Sequence, residues 1–113
     1  MGKLYLVNAF SINMLDFSER KVADVRVVKI DEEEAKKWLK NNEFISAIGH
    51  ESTAKIISQR LGIDVKPNRI QIKMKEGDMA IVFQLLQRLP EGKVLSEQEL
   101  QQIPAAWFMV IVR

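Results

Sequence analysis

The tightest constraint on this chain is the run Trp107-Phe108-Met109-Val110-Ile111-Val112, which is apolar throughout. A strand without polar alternation is one buried on both faces, so the chain must build a sheet covered on both sides. Lys3 to Val7 reads as a first strand, and Val22 to Ile30, rich in β-branched residues, as a second. Arg69 to Met74 predicts another, with Glu76-Gly77-Asp78 as the turn that follows. Met79 to Leu89 fits strand or helix by periodicity. It is read as a strand because Ile81, Val82 and Phe83 follow that turn in a hairpin-like arrangement. Gln84, Leu86 and Arg88 then share one face, since side chains alternate along a strand.

The helices announce themselves by their caps. Asp31-Glu32-Glu33-Glu34 has capping-box spacing, with acids in the first turn and Lys36, Lys37 and Lys40 behind them. Glu32–Lys36 and Glu33–Lys37 are spaced as solvated-face pairs, leaving Ala35, Trp38 and Leu39 as the core side. Ser52 to Leu61 reads as a second helix, stopped by Gly62. Ser96-Glu97-Gln98-Glu99 is another capping-box spacing, and Pro104 ends that helix. Together these predict an α/β fold: a single domain over residues 1–113 with a mixed β-sheet of about five strands flanked by helices.

Composition narrows the chemistry. A chain of 113 residues has room for one core, and without cysteine it has no disulfides, zinc-thiolate sites or thiol nucleophiles. One histidine makes a multi-histidine metal site impossible within one chain. The absence of cysteine suits a reducing cytosol. The first seven residues are apolar too briefly for a signal peptide or a spanning helix, so a cytoplasmic protein with no membrane partner is expected. A net charge of +2 with mixed signs does not resemble a binder of duplex nucleic acid, which concentrates positive charge on one face. A small anionic ligand held by a few placed groups fits better.

Three clusters can carry chemistry. The only histidine, His50, lies in Ile48-Gly49-His50-Glu51-Ser52-Thr53, a turn opening onto a helix. Unpaired first-turn N–H groups and the helix dipole favour phosphate there, and an imidazole can exchange a proton near neutral pH. The plain alternative is that Ser52 or Thr53 is only an N-cap. Asn8, Ser11 and Asn13 follow the first strand, where open α/β sheets bind ligands and where amides and hydroxyls can read bases and sugars. They are equally ordinary turn residues. In Gln84 to Lys93, Arg88 can offset charge on a phosphoryl group and Glu91 can orient a hydroxyl or the arginine. The alternative there is a type I turn around Pro90 with a solvated Glu91.

Taken together, Asn8-Ala9-Phe10-Ser11-Ile12-Asn13-Met14-Leu15, Ile48-Gly49-His50-Glu51-Ser52-Thr53, Asn68-Arg69-Ile70-Gln71-Ile72-Lys73-Met74, Lys75-Glu76-Gly77-Asp78 and Gln87 to Leu95 stand in an order that resembles the viral type III anti-CRISPR ring nucleases and their cellular relatives. The resemblance runs from about residue 3 to residue 100. It implies a homodimer that binds cyclic tetra-adenylate and opens the ring without metal or cofactor, leaving linear di-adenylate with a 2′,3′-cyclic phosphate end. On the matching positions it implies His50 as general acid and Arg88 and Glu91 as catalytic partners. It implies Asn8, Ser11, Asn13 and Arg69 as ligand-binding residues, joined by Gly49, Ser52, Thr53 and Gln84 from beside the motifs. If the source is viral, the setting is the host cytoplasm.

Two other readings stay open on the sequence. One is a non-catalytic cyclic-oligoadenylate binding protein, a sponge or sensor. The other is an unrelated small α/β interaction domain with His50 as a cap residue.

Overall fold

The computed structural model describes residues 2–86 and 96–113. Five strands, β1 (Leu4–Val7), β2 (Val25–Ile30), β3 (Ile45–Ser46), β4 (Met79–Leu85) and β5 (Ala105–Val112), form one sheet in the order β2-β5-β4-β1-β3. β1 runs parallel to both β3 and β4, while β5 runs antiparallel to β4 and β2. The sheet is therefore mixed, as expected, and the apolar run of β5 lies between two neighbours. Its side chains alternate between two cores: Trp107 and Met109 on one face, Val110 and Val112 on the other.

The helices α1 (Glu32–Asn41), α2 (Glu51–Leu61) and α3 (Glu97–Gln102) belong to one side of the sheet. Ala35 and Leu39 of α1, Ala54, Ile56, Ile57 and Leu61 of α2, and Ile103 after α3 pack against Leu6, Ile81, Phe83, Trp107 and Met109. Each large aliphatic side chain buried this way contributes about 1.5–3 kcal/mol. Among the described residues no α-helix covers the opposite face. There Leu15, Ile72 and Met74, from extended segments, close over Tyr5, Val7, Ala80, Val82, Val110 and Val112.

The caps behave as their chemistry predicts at three helix ends. Asp31 accepts a hydrogen bond from the Glu34 N–H at 2.8 Å. Ser96 and Glu99 form a reciprocal capping box. Gly62 adopts a left-handed conformation with φ 66°, and its N–H donates to the Ser58 carbonyl at 2.9 Å. At the turn before β4, buried Asp78 accepts from the Lys3 and Lys75 N–H groups at 2.9 and 2.8 Å, tying the starts of β1 and β4 together. Burial, followed by the nearby Asp78 carboxylate, pushes the Tyr5 phenol above its ordinary range.

Several expectations need correction. Arg69–Met74 is not a strand. Its alternation is real, since Ile72 and Met74 are buried, but its backbone joins the sheet side only through an isolated bridge of Met74 to Leu15. It serves as a cover, and the fifth strand is instead the two-residue β3. The hairpin between 69–74 and β4 is accordingly absent, because β4 pairs with β1 and β5. β2 begins at Val25, short of the predicted limit, and β4 is described as Met79–Leu85, with Leu86 outside it and residues 87–89 of the predicted strand outside the described residues. Trp38 is 38% exposed rather than core, while Ala35 and Leu39 are buried. Glu32 pairs with Arg60 of α2 at 2.9 Å, a partner sequence spacing does not reveal.

Candidate functional site

The parallel trio β3-β1-β4 fixes where a site can form. All three strands run the same way, so their carboxyl ends share one edge of the sheet. From that edge leave Asn8 after β1, the stretch Ala47-Ile48-Gly49-His50 after β3, and Leu86 after β4. In open α/β sheets this is the edge at which ligands bind. The pairing of Val7 with Val82 leaves the last three residues of β4 projecting beyond β1, so Gln84 stands exposed above it.

A groove of about 310 Å³ opens beside the end of β1, lined by Val7, Asn8, Ala9, Asn13, Met14, Ala47, Ile70, Gln71 and Ile72. Two of the predicted ligand residues, Asn8 and Asn13, thus meet in one cavity. Asn13 sits in a single 3₁₀ turn, Ile12–Met14, whose carbonyl at Asn13 accepts a hydrogen bond from the Lys73 ammonium at 2.7 Å. Ser11 precedes that turn. It is exposed, its N–H lies 3.2 Å from the Met14 sulfur, and it does not line the groove. Beyond the turn Asp16 accepts from the Ser18 hydroxyl at 2.6 Å and N–H at 2.9 Å. These bonds hold its carboxyl below the usual range.

The second half of the site is the start of α2. His50 is the N-cap residue in extended conformation, a position the sequence left open between it and Ser52 or Thr53. Its carbonyl accepts the first helical bond from the Ala54 N–H at 3.1 Å, but its side chain makes no capping hydrogen bond. The imidazole is therefore exposed at the end of the helix where unpaired N–H groups and the positive dipole coincide. Ser52 is exposed in the first turn, whereas Thr53 is buried at 3%. Arg69 comes from the cover segment and donates from Nε to the Gly49 carbonyl at 3.0 Å, which puts its guanidinium beside His50's backbone.

The fold thus brings together Gly49, His50, Ser52 and Arg69 at one mouth and Asn8 with Asn13 in the adjoining groove, with Gln84 on the same edge. Arg88 and Glu91 lie outside the described residues. Sequence reasoning missed Asn68 and Lys73 as individual contributors. Lys73 stands within the stretch 69–74 read as a strand and Asn68 just before it, and that reading hid their roles as donors to loop carbonyls. Among the described residues no group of three or more histidine or acidic side chains is placed to hold a metal ion. Among them, too, no helix is long and apolar enough to cross a membrane.

Comparison with known proteins places this architecture. The solved structure of B116 of Sulfolobus turreted icosahedral virus is similar, with a TM-score of 0.79 and 36% sequence identity over 97% of this chain and 99% of that one. Uncharacterized protein 26 of Sulfolobus islandicus filamentous virus is 39% identical over 101 residues, covering 88% of this chain and 83% of the relative. Uncharacterized protein YddF of Bacillus subtilis is 33% identical over 84 residues, covering 73% of this chain and 78% of its own length. The family model described as STIV B116-like matches residues 4–107, and the chain belongs to that family.

Proposed function

We propose that this protein is a metal-independent ring nuclease that binds cyclic tetra-adenylate and cleaves it to linear di-adenylate with a 2′,3′-cyclic phosphate. Its action would switch off or block CRISPR ancillary effectors in the cytoplasm where that messenger is made. The observation that carries the reading is the placement of the chain's only histidine. His50 is exposed, free of a capping bond, and set at a helix start on the ligand-binding edge beside Arg69.

The chemistry needs little else from the protein. The nucleophile is the substrate's own ribose 2′-hydroxyl. It attacks phosphorus as its proton passes to solvent, the bond from phosphorus to the 5′-oxygen breaks, and the cyclic phosphate is the product. Holding the 2′-oxygen in line with the departing oxygen contributes several kcal/mol, up to ~7–11 in the best intramolecular cases. His50, protonated, donates its proton to the leaving 5′-oxygen, a contribution of roughly 10²- to 10⁴-fold. Arg88 offsets charge on the phosphoryl oxygens and Glu91 orients its neighbours. Asn8, Asn13 and Gln84 offer amides to bases and sugars without adding charge, Ser11 and Ser52 offer hydroxyls, and Arg69 faces phosphate.

A four-fold ring contains a two-fold axis, so an isologous homodimer would present two copies of His50 and Arg88 across it and yield two equal halves. Exposed Ile12, Ile70 and Leu86 support a partner at this edge, because within one chain they are left to solvent.

The test is incubation with cyclic tetra-adenylate in excess chelator, with products resolved by mass. Linear di-adenylate ending in a cyclic phosphate is the expected product. His50→Ala should lower turnover by about 10²- to 10⁴-fold while binding persists. An intact ring together with a raised melting temperature would make the protein a binding protein instead. An intact ring with no shift would sink both.

A further inference from the structure

The side chain of His50 makes no capping bond, so the ring is only as well placed as the backbone that delivers it. That backbone is held from outside its own helix. From the end of β3 to the start of α2, the carbonyls of Ser46, Ile48 and Gly49 all accept hydrogen bonds from two consecutive residues, Asn68 and Arg69, where the chain enters the cover segment. Asn68 Nδ2 donates to Ser46 at 2.7 Å, the Asn68 N–H donates to Ile48 at 2.7 Å, and Arg69 Nε donates to Gly49 at 3.0 Å. A return bond runs from the Ser46 hydroxyl to the Lys66 carbonyl at 2.7 Å. The next carbonyl, that of His50, is already committed to α2.

We propose that Asn68 is a positioning residue for His50: its amide and N–H clamp the β3–α2 connection and set where the imidazole stands on the ligand edge. Its kinetic consequence rests on the ring-nuclease reading, whereas its structural content does not. Asn68 is exposed and is not a member of either buried apolar cluster. Its two donors are spent on the path to His50 rather than on packing. A catalytic group must be held within a fraction of an ångström by the residues around it, and a displacement of about 1 Å can cost about 100-fold in rate.

The sole histidine makes the test direct, because its ring resonances in an NMR spectrum of the free protein belong to His50 alone. Asn68→Ala removes the side-chain half of the clamp and leaves the backbone bond to Ile48, and Asn68→Asp keeps the side chain's shape while turning a carboxylate towards the Ser46 carbonyl. In both, the His50 resonances should shift and broaden while the Trp107 indole signal, fixed by its bond to Glu32, stays in place. With cyclic tetra-adenylate, kcat should fall about 10- to 100-fold with KM within about twofold. Unmoved His50 resonances, or an unchanged kcat in variants of an active protein, would overturn the proposal. If the unmodified protein leaves the ring intact, the nuclease reading fails and the spectra alone decide the positioning role. Should the Trp107 signal move as well, Ser46→Ala, which removes the return bond to Lys66 and the 3.4 Å contact of the Ile48 N–H with the Ser46 hydroxyl, is read by the same criteria.

Discussion

The two ends of α2 are built to opposite rules. At its carboxyl end nearly every polar group is engaged. Arg60 donates to Glu32 and to the Ile103 carbonyl at 2.9 and 2.7 Å, and its guanidinium lies 5.7 Å from the centre of the Phe83 ring. The Ser58 hydroxyl donates to Ala54 and accepts from the Val65 N–H, Gln101 donates to the Gln59 carbonyl, and Gly62 closes the last turn. At the amino end, His50 occupies the cap without bonding to it, and Glu51 and Ser52 face solvent. The start of α1 shows what was available, since Asp31 caps that helix with its side chain. An end without a side-chain cap, on the edge proposed to bind the ligand and on a helix anchored firmly at its other end, fits a division between the proposed function and stability.

Substitutions can break this contrast or sharpen it. Arg60→Ala should have the largest effect on stability, about 2–3 kcal/mol in urea titration, because it strips Glu32 and the Ile103 carbonyl of a partner at a mostly buried site. A loss no larger than that of a surface mutation would remove the claim that this end anchors the helix. Gly62→Ala should follow at about 1–2 kcal/mol, since a Cβ is disfavoured at φ 66° although the space around it is open.

Asp31→Ala should cost about 1 kcal/mol by deleting the one bond its side chain makes to α1. His50→Asp is the informative reverse and the smallest change. By supplying the missing cap it should stabilise the fold by about 0.5–1 kcal/mol while abolishing ring opening. A destabilised His50→Asp protein would mean that the cap position is already satisfied, and a fully active one would remove His50 from the reaction.

Local chemistry made much of this fold legible. The acids and Asp31 before α1, Gly62 after α2, and Ser96 with Glu99 at α3 place helix ends through bonds to neighbours within a few residues, and all three were visible in order. The run at 107–112 showed a strand with both faces buried. The stretch 69–74 misled because alternation reports burial, not pairing. Ile72 and Met74 cover the sheet with the same period as residues within it. Trp38 misled in the same way, since its helical spacing permits a core position that the short α1 does not fill. Of the site, Asn8, Asn13, His50 and Arg69 were named from the sequence, but nothing in their spacing places Arg69 against Gly49 or identifies Asn68 as the clamp.

The sequence by itself determined the α/β class, the caps and the single histidine at a helix start, because each depends on residue type and on contacts within one or two turns. Only the tertiary structure decided that β3 replaces residues 69–74 in the sheet, that α1, α2 and α3 lie on one face, and that three parallel strands end at His50's edge. Those outcomes depend on pairings between residues far apart in the chain, such as Val7 with Val82 and Asn68 with Ser46. Loop closure and burial together select such pairings, and no local propensity encodes them.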